Sequence, residues 1–545
     1  NTANVSSVNR TSLLNENTLN YNKDFGDHNL QALAGFTVQK ETEEYRLITA
    51  SGFATDITGP YDLGAGSVAP AVDSQYAEFS IMSFLGRINY NYKDRYLITA
   101  TGRRDGSSKF AEGNKWAFFP SVAGAWRISN EAFMAESDFF DNLKLRIGWG
   151  QVGNQELPTY RSLALLQADP YNFGDGTIVS GFAPLRVAVP GLTWEITSQT
   201  NVGLDASLLR GRFNTSFDYY VKKTEDLLLE VNLPETSGIL DPSVQNLGEM
   251  ENIGWELSMN GAVVQNDDFK WDLGFNISQN KNKITSLGSA AEVGEGDQSY
   301  EIAQPTFAGS TPRSYVTVGE PVGVFYGYKT DGLYRSQAEA DAEQSLRPGV
   351  IPGMTRYVDV NNDGEIDTDD RTVLGSPHAD FTYGINSTIS YKSLELRLFL
   401  QGQKGGLVYN SMRRFNSTVT RGQNVLAEVG DYWTPSNVDA LWPTPIQTPP
   451  SIGGSASLGD SDFFLEDASY LRMKEITLNY ELPKGLLGNA NASIYVTGQN
   501  LFTITDYKGY NPDTNGRANV RGSFGWDISS YPLAKTVLMG LKLDF

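Results

Sequence analysis

Apolar and polar residues alternate along most of this chain with a period of two, the repeat of a β-strand whose two faces meet different surroundings. From Phe269 to Ile277 the apolar set is Phe269, Trp271, Leu273, Phe275 and Ile277, with Lys270, Asp272, Gly274 and Asn276 between them. A second run sets Phe381, Tyr383, Ile385, Ile389 and Tyr391 against Thr382, Gly384, Asn386, Thr388 and Ser390, and Leu394, Leu396, Leu398 and Leu400 follow directly. The same pattern marks Leu30–Val38, Phe79–Tyr92, Arg95–Arg104, Trp116–Ile128, Leu143–Val152, Val202–Leu208, Phe213–Val221, Trp255–Met259, Ile476–Leu482, Ala492–Val496 and Val537–Phe545. With a first candidate near Thr11–Tyr21, about fifteen strands are predicted, and helical periodicity is nearly absent.

Alternation alone fits a soluble sandwich as well as a membrane barrel, but the connections discriminate. Long links (Glu41–Glu78, Gly153–Ile196, Lys223–Asn252, Thr285–Asp380, Lys404–Asp467, Thr503–Pro532, with a moderate hairpin at Asp105–Lys115) alternate with short ones. The short links are Asn22–Asp27, Lys93–Asp94, a somewhat longer Ser129–Asp141, Leu209–Gly211, Gln265–Asp268, Lys392–Ser393 and Pro483–Asn491. A sandwich has no reason to sort its loops in this way. An all-β, antiparallel transmembrane β-barrel does, with short periplasmic turns at one rim and long extracellular loops at the other.

Composition then removes competing classes. The chain of 545 residues has 43 Lys and Arg against 64 Asp and Glu, a formal charge of −21, so a phosphate backbone is repelled and nucleic acid is not a partner. It has no cysteine, and its two histidines, His28 and His378, lie far apart, which leaves little for thiolate zinc sites or histidine-based catalysis. No apolar run approaches the roughly 18 residues of a membrane helix. Aromatics reach 12 % of the chain, a load that interfacial girdles would use.

The sharpest local motif is DVNNDGEIDTDD at Asp359 to Asp370. Asp359, Asn361, Asp363 and Asp367 stand at positions 1, 3, 5 and 9 of a calcium loop, Gly364 at 6, Glu365 at 7 through its carbonyl, and Asp370 at 12. Ca²⁺ suits clustered hard oxygens on a tight glycine turn, although Asp370 replaces the longer Glu usual at position 12. The competing reading is an acidic turn held by its own side-chain hydrogen bonds. GWGQVG at Gly148 to Gly153 matches GxGxxG, but no helical pattern follows, so a dinucleotide site fails its context and the glycines are expected to let the chain leave the barrel rim. Lys270, Asp272, Asn276, Asn386, Thr388, Arg397 and Gln401 share the polar faces and would line a lumen. Tyr432, Trp433 and Trp442 are candidates for stacking on sugar or touching a lid, with a structural role favoured for Trp433. No pair of carboxylates stands out as an acid/base couple, so no enzymatic activity is expected.

At RINYNYKDRYLITATGRRDGSSKF (Arg87 to Phe110) and the following KWAFFPSVAGAWRISNEAF, the sequence resembles the SusC/RagA family of TonB-dependent outer-membrane transporters. Supporting blocks are LRIGWGQVGNQ from Leu145, YVDVNNDGEIDTDDRTVLGSPHADFTYGIN from Tyr357, DYWTP from Asp431, SYLRMKEITLNYELP from Ser469 and YVTGQNLFTITDYKGYNPD from Tyr495. The ending VLMGLKLDF is similar to the C-terminal strand signal of outer-membrane proteins. The resemblance implies a barrel of about 22 strands with a plug inside it, a TonB box ahead of the plug, and a SusD-like lipoprotein lid over the extracellular mouth. It implies import of oligosaccharides or peptides across the outer membrane.

On that footing residues 1–545 are expected to be the C-terminal portion of the barrel, with residues 285–380 a long extracellular loop carrying the calcium-type motif. The plug and TonB box are not in this sequence. An open sheet leaves unpaired backbone edges in hydrocarbon, so a missing N-terminal segment or a second chain is expected to complete the barrel. The loops after Val152, Lys222, Ile284, Gln403 and Phe502 would form the mouth. The readings weighed against this one are a soluble or surface-attached all-β carbohydrate-binding or adhesion protein, which would need no detergent, and a secreted glycoside hydrolase.

Overall fold

Fifteen strands follow one another in chain order across one antiparallel sheet in the computed structural model, and a sixteenth short strand, Thr503–Thr505, pairs beside the path. They are β1 (Thr2–Phe25), β2 (His28–Ser51), β3 (Val68–Tyr92), β4 (Tyr96–Ser107), β5 (Trp116–Arg127), β6 (Phe140–Asn154), β7 (Glu195–Leu208), β8 (Phe213–Glu225), β9 (Glu249–Gln265), β10 (Phe269–Ser286), β11 (Phe381–Tyr391), β12 (Leu394–Lys404), β13 (Tyr470–Glu481), β14 (Asn491–Gln499) and β15 (Thr536–Asp544). The structure describes residues 1–544 apart from 58, 175–177, 232–234, 240, 289–298, 304–312, 418–423, 446–457, 484, 487–489, 515–523 and 529. Parts of the expected long loops at Thr285–Asp380, Lys404–Asp467 and Thr503–Pro532 therefore lie outside the described residues. Helix is confined, among the described residues, to two short α-helices, Gln337–Ala342 and Ser411–Phe415, and a few 3₁₀ turns.

Every strand expected from alternation is present, and the links alternate long and short as expected except around β5, where the link at residues 108–115 is shorter than the one at residues 128–139. The tightest turns use backbone geometry that matches strand twist. Lys93 and Asp94 both have positive φ, 54° and 52°, and the Arg95 N–H donates to the Tyr92 carbonyl at 3.0 Å, closing a type I′ turn within the three-residue link from β3 to β4. Lys392 opens the β11–β12 turn with φ 52°.

One expectation needs correction. Glu41 to Glu78 is not a long loop, because β2 and β3 remain paired residue for residue through Thr42↔Glu78, Arg46↔Ser74 and Thr49↔Ala71, leaving a link only at residues 52–67. At 24 residues β2 extends about 80 Å, far more than the 9–11 residues a bilayer needs. Its outer half reads KETEEYR from Lys40 to Arg46. With water on both faces nothing demands alternation, so the signal fades while the ladder continues.

The chain forms two compact units. The first comprises Asn1–Glu136, Lys144–Val202 and Val221–Met250. The second comprises Ser137–Leu143, Gly203–Tyr220 and Glu251–Phe545. Each has its own buried aromatic cluster, built largely from long-loop residues and in the first unit joined by Phe119 of β5.

Candidate functional site: a two-faced wall and its long-loop clusters

Register converts the alternation into rows. In the second unit Trp271, Ile389, Leu396, Leu478, Val496 and Met539 are successive cross-strand partners, so one row across six strands is wholly apolar. The adjacent row is Asp272, Thr388, Arg397, Thr477 and Thr497, polar across five strands before it ends at Leu538 on β15. The apolar rows are not packed under a second layer: Met539 is 78 % exposed, and in the first unit Ile98 and Ile147 are 51 % and 58 % exposed. Large side chains left open in register across a sheet have no stable place in water but an ordinary one in lipid. A hydroxyl on this face, Ser387, receives the Trp271 indole N–H at 3.0 Å, so it need not meet hydrocarbon unpaired.

Aromatic rows bound the apolar band. At the short-turn end of the first unit, register joins His28, Tyr92, Tyr96 and Trp126. Eight residues up β3, Phe36, Phe84 and Phe118 fall on one row with Arg104 between the last two. Eight residues span about 26 Å along a strand, or about 20 Å vertically at a tilt near 40°, close to the roughly 25 Å band of a transmembrane barrel. In the second unit Phe269, Tyr391, Leu394 and Tyr480 form the corresponding short-turn row.

The opposite face is a polar wall. Arg103 Nε donates to Asp105 at 2.7 Å and its Nη2 to Ser83 Oγ at 3.0 Å, while Thr99 Oγ1 donates to Asn89 at 2.9 Å and Arg87 Nε to Thr101 Oγ1 at 3.2 Å. The expected lumen set falls on this face. Asp272, Thr388 and Arg397 share a row, Asn276 and Gln401 share another through Gly384, and Asn386 and Lys270 occupy neighbouring rows. Near the short turns a cavity of about 630 Å³ is lined by Arg210, Arg212, Asn260, Asp272, Asn386 and Thr388.

Above the wall the long loops fold on themselves. In the first unit Phe110, Phe119, Leu157, Leu192, Trp194 and Val244 form a buried cluster, and the Trp194 indole N–H donates to the Lys115 carbonyl at 3.0 Å. Of the GWGQVG glycines Gly153 meets this packing, one residue before β6 ends at Asn154, whereas Gly148 and Gly150 lie against Asn201 and Ser121. A Cβ on Gly153 would stand 2.2 Å from Phe119 and 2.8 Å from Trp194, so only glycine admits both rings. Beside the cluster, Asp241 accepts from Arg161 at 3.1 Å and Arg186 at 2.6 Å. Burial pushes the Asp241 carboxyl up, but the two guanidinium groups outweigh it and hold it below the usual carboxylate range.

That shift has a sign. A depressed folded-state pKa stabilises above the unfolded value and the benefit disappears as pH falls through the folded one. Acidification below about pH 4 should therefore loosen residues 155–194 and 226–248, read as faster protease cleavage there. Asp241→Asn should be looser at pH 7 and show a flatter response to acid. An unchanged acid response in that variant would show the pair to be idle.

In the second unit Phe325, Tyr409, Val429, Trp442, Phe464 and Trp526, drawn from three loops, form another buried cluster. Arg413 pairs with Glu428 at 2.7 Å and Glu466 at 3.4 Å and lies 5.0 Å over the Trp442 ring. Trp442 is thus interior and not a sugar platform. Trp433 lies against the Gly353 backbone, where a Cβ would be 2.6 Å from its ring, so it too is a packing residue; Tyr432 remains exposed. A cavity of about 380 Å³ opens between Asn410, Arg413, Glu428, Lys508, Tyr510 and Asp527. Tyr507 donates to the buried Asp527 at 2.7 Å.

The Asp359–Asp370 segment is a turn closed by its own carboxylates. Asp359 accepts the N–H groups of Asn362 at 2.6 Å and Gly364 at 3.0 Å, and Asn361 and Asp363 accept those two residues on. Asp367 accepts from the Asp369 N–H at 2.8 Å. Asp370 is fully buried and ties the ends together by accepting from Val360 at 2.7 Å and Asp367 at 3.0 Å. Glu365 is exposed, and Ile366 anchors the loop against Tyr328 and Tyr357, whose hydroxyl burial pushes up to about 12. Among the described residues no three acidic groups are gathered as a metal cluster.

The family model described as TonB dependent receptor-like, beta-barrel, matches residues 1–401. A TonB-dependent receptor of Formosa agariphila is 39 % identical over 556 residues, covering 100 % of this chain and 54 % of that protein. The TonB-dependent receptor SusC of Bacteroides thetaiotaomicron is 32 % identical over 481 residues, covering 86 % of this chain and 44 % of its own length. Among solved structures, the RagAB peptide transporter superposes with a TM-score of 0.81 at 26 % identity, over 99 % of this chain and 56 % of the other.

Proposed function

Because the chain belongs to the TonB-dependent receptor β-barrel family of the outer membrane, and within it to the SusC/RagA group, we propose that it is the greater part of the barrel wall and extracellular loops of an active importer. The observation that carries this reading is the pair of opposite faces, with rows of exposed apolar side chains on one and rows of paired polar side chains on the other. The chain spans about half the length of the curated relatives it matches. In this proposal the plug, the TonB box and the remaining strands lie on further sequence of the same polypeptide or on a second chain. Work is drawn from TonB through the plug. The wall contributes passage and no bond chemistry.

The cargo would be an oligosaccharide or a peptide. SusC and the RagAB peptide transporter are relatives whose likeness supports that range and supports a SusD-like lipoprotein as lid. The two folded loop clusters would offer such a lid rigid ground. The test is uptake by cells lacking the gene, complemented with the complete receptor: import of a labelled glycan or peptide panel should return only when TonB is functional. Import that is indifferent to TonB would sink the proposal, and release of reducing sugar from glycans would favour a hydrolase.

We also propose that Ca²⁺ tightens the Asp359–Asp370 turn. The carboxylate oxygens that accept one N–H each retain a second lone pair, and Asp359, Asn361, Asp363, Asp367 and the Glu365 carbonyl supply the oxygen chemistry such an ion takes. Chelation with EGTA should then speed protease cleavage near residues 359–370, and Asp363→Ala should abolish the calcium response. If EGTA changes neither cleavage nor melting temperature, the turn is held by its hydrogen bonds alone.

A further inference from the structure

The sheet narrows above Ile81. Strand β4 ends at Ser107, opposite Ile81, whereas β3 continues back to Val68 and stays paired with β2. Over residues 68–80, then, β3 has a strand partner on one side and, among the described residues, none on the other. In an antiparallel strand, alternate residues direct both backbone groups to the same side. The Ser80 carbonyl accepts the Ser108 N–H at 3.0 Å, and the Ser80 N–H donates to Ser108 Oγ at 2.9 Å. The Glu78 N–H donates to the Tyr160 hydroxyl at 3.0 Å. Even-numbered residues therefore point to the open side, and the next are Tyr76, Ser74 and Val72.

This edge has defined ends. At one end Tyr160 occupies the Glu78 donor, and at the other Pro70 has no N–H to offer, a common device for blunting an edge. Tyr160 has φ 64°, a conformation bulky residues rarely adopt, and its carbonyl is held by Arg186 at 3.3 Å. Beside the Tyr160 end lies a cavity of about 410 Å³, lined by Tyr76, Glu78, Lys109, Glu112, Lys115 and Tyr160 among others. Val72 and Tyr76 are 73 % and 56 % exposed.

We propose that the Val72–Tyr76 edge takes up an extended peptide as an added strand, with one peptide side chain entering the adjoining cavity. This rests on the importer reading and names peptide as its cargo. Backbone pairing reads N–H and C=O groups common to all peptides, so the site is tolerant of sequence. Its size selects the occupant. A folded partner needs about 800 Å² per side for a specific interface, more than a five-residue edge supplies, whereas a short peptide needs no more. The cavity's ionisable lining balances Glu78 and Glu112 against Lys109 and Lys115, which suits a peptide and not a polyanion.

The test uses the complete receptor and the probe acetyl-Val-Thr-Val-Thr-Val-amide. The probe should protect the Val72, Ser74 and Tyr76 amides from hydrogen exchange, and its fully N-methylated analogue should bind at least tenfold more weakly. Ser74→Pro should weaken the probe to a similar degree, since the Ser74 N–H faces away from β2. If that variant fails to assemble, the N-methylated analogue on the unaltered receptor decides. Equal binding of both peptides, or no protection at saturation, overturns the proposal. So does protection conferred by a lid lipoprotein and not by the probe. TonB-dependent uptake is scored separately, so a receptor that binds the probe at this edge but imports nothing refutes the importer reading and leaves the edge assignment standing.

Discussion

Leu398→Arg should leave the complete receptor largely unassembled in the outer membrane, while Arg397→Leu, one residue away, should assemble normally. Leu398 belongs to the row Leu273, Ser387, Leu398, Ile476, Gly498 and Val537. That row stands four residues, about 13 Å along the strand, above the aromatic row through Tyr391 and Leu394, near the middle of a band roughly 25 Å tall. An arginine facing lipid at that depth costs about 2–4 kcal/mol, a large share of a marginal stability. Arg397 faces the other way, and its only ion pair within the described residues is with neighbouring Glu395 at 2.6 Å; such an exposed pair is worth less than about 1 kcal/mol. Heat-modifiable migration of membrane fractions and urea titration in liposomes would read both variants. Equal tolerance at the two positions would mean that the faces do not divide lipid from water, and the barrel assignment would fall with it.

What sequence made legible and what it hid follow from where water lies. Alternation located all fifteen strands because inside the bilayer each face has a different solvent. It missed the outer halves of β2 and β3, where Lys40–Arg46 faces water on both sides and only backbone pairing holds the strand. It placed Gly153 beside the end of a strand but could not show the rings that require it, which come from Phe119 and Trp194, 34 and 41 residues away in the chain. That Asp272 and Arg397 share the polar face was readable from period alone. The loop clusters were not, because packing among Phe325, Tyr409 and Trp526 has no period. A signal was nonetheless present: solvated loops have little use for Trp194, Trp442 or Trp526, and their large aromatic rings within long links marked folded loops. The open edge of β3 was invisible for a related reason, being a consequence of one strand outlasting its neighbour.

Trp526→Ala should unfold the long-loop cluster of the second unit and leave the strands paired. Trp526 is fully buried, its ring 4.8 Å from Tyr409 and 5.7 Å from Phe325, and its indole N–H donates to buried Ser314 at 2.9 Å. Those partners come from two other links, residues 287–380 and 405–469, so this side chain ties three links together beside short ladders such as Leu407–Asn410 with Leu465–Asp467 and the Arg371–Asp460 ion pair. Truncating a buried tryptophan costs about 3–5 kcal/mol. The cost should stay local, because β10 to β15 pair through extensive registers that do not involve this ring. Limited proteolysis should therefore cut within residues 313–375, 407–467 and 503–527, while heat-modifiable migration is unchanged. Trp526→Phe separates packing from the hydrogen bond: it keeps most of the apolar volume and orphans Ser314, so its cost should be nearer 1–3 kcal/mol. If the loops carry the lid, uptake should fall with loop order in the series unaltered, Phe, Ala. Protease resistance equal to the unaltered receptor in the alanine variant would show that the cluster is not held by this ring, and the idea of a rigid platform for the lid would lose its structural support.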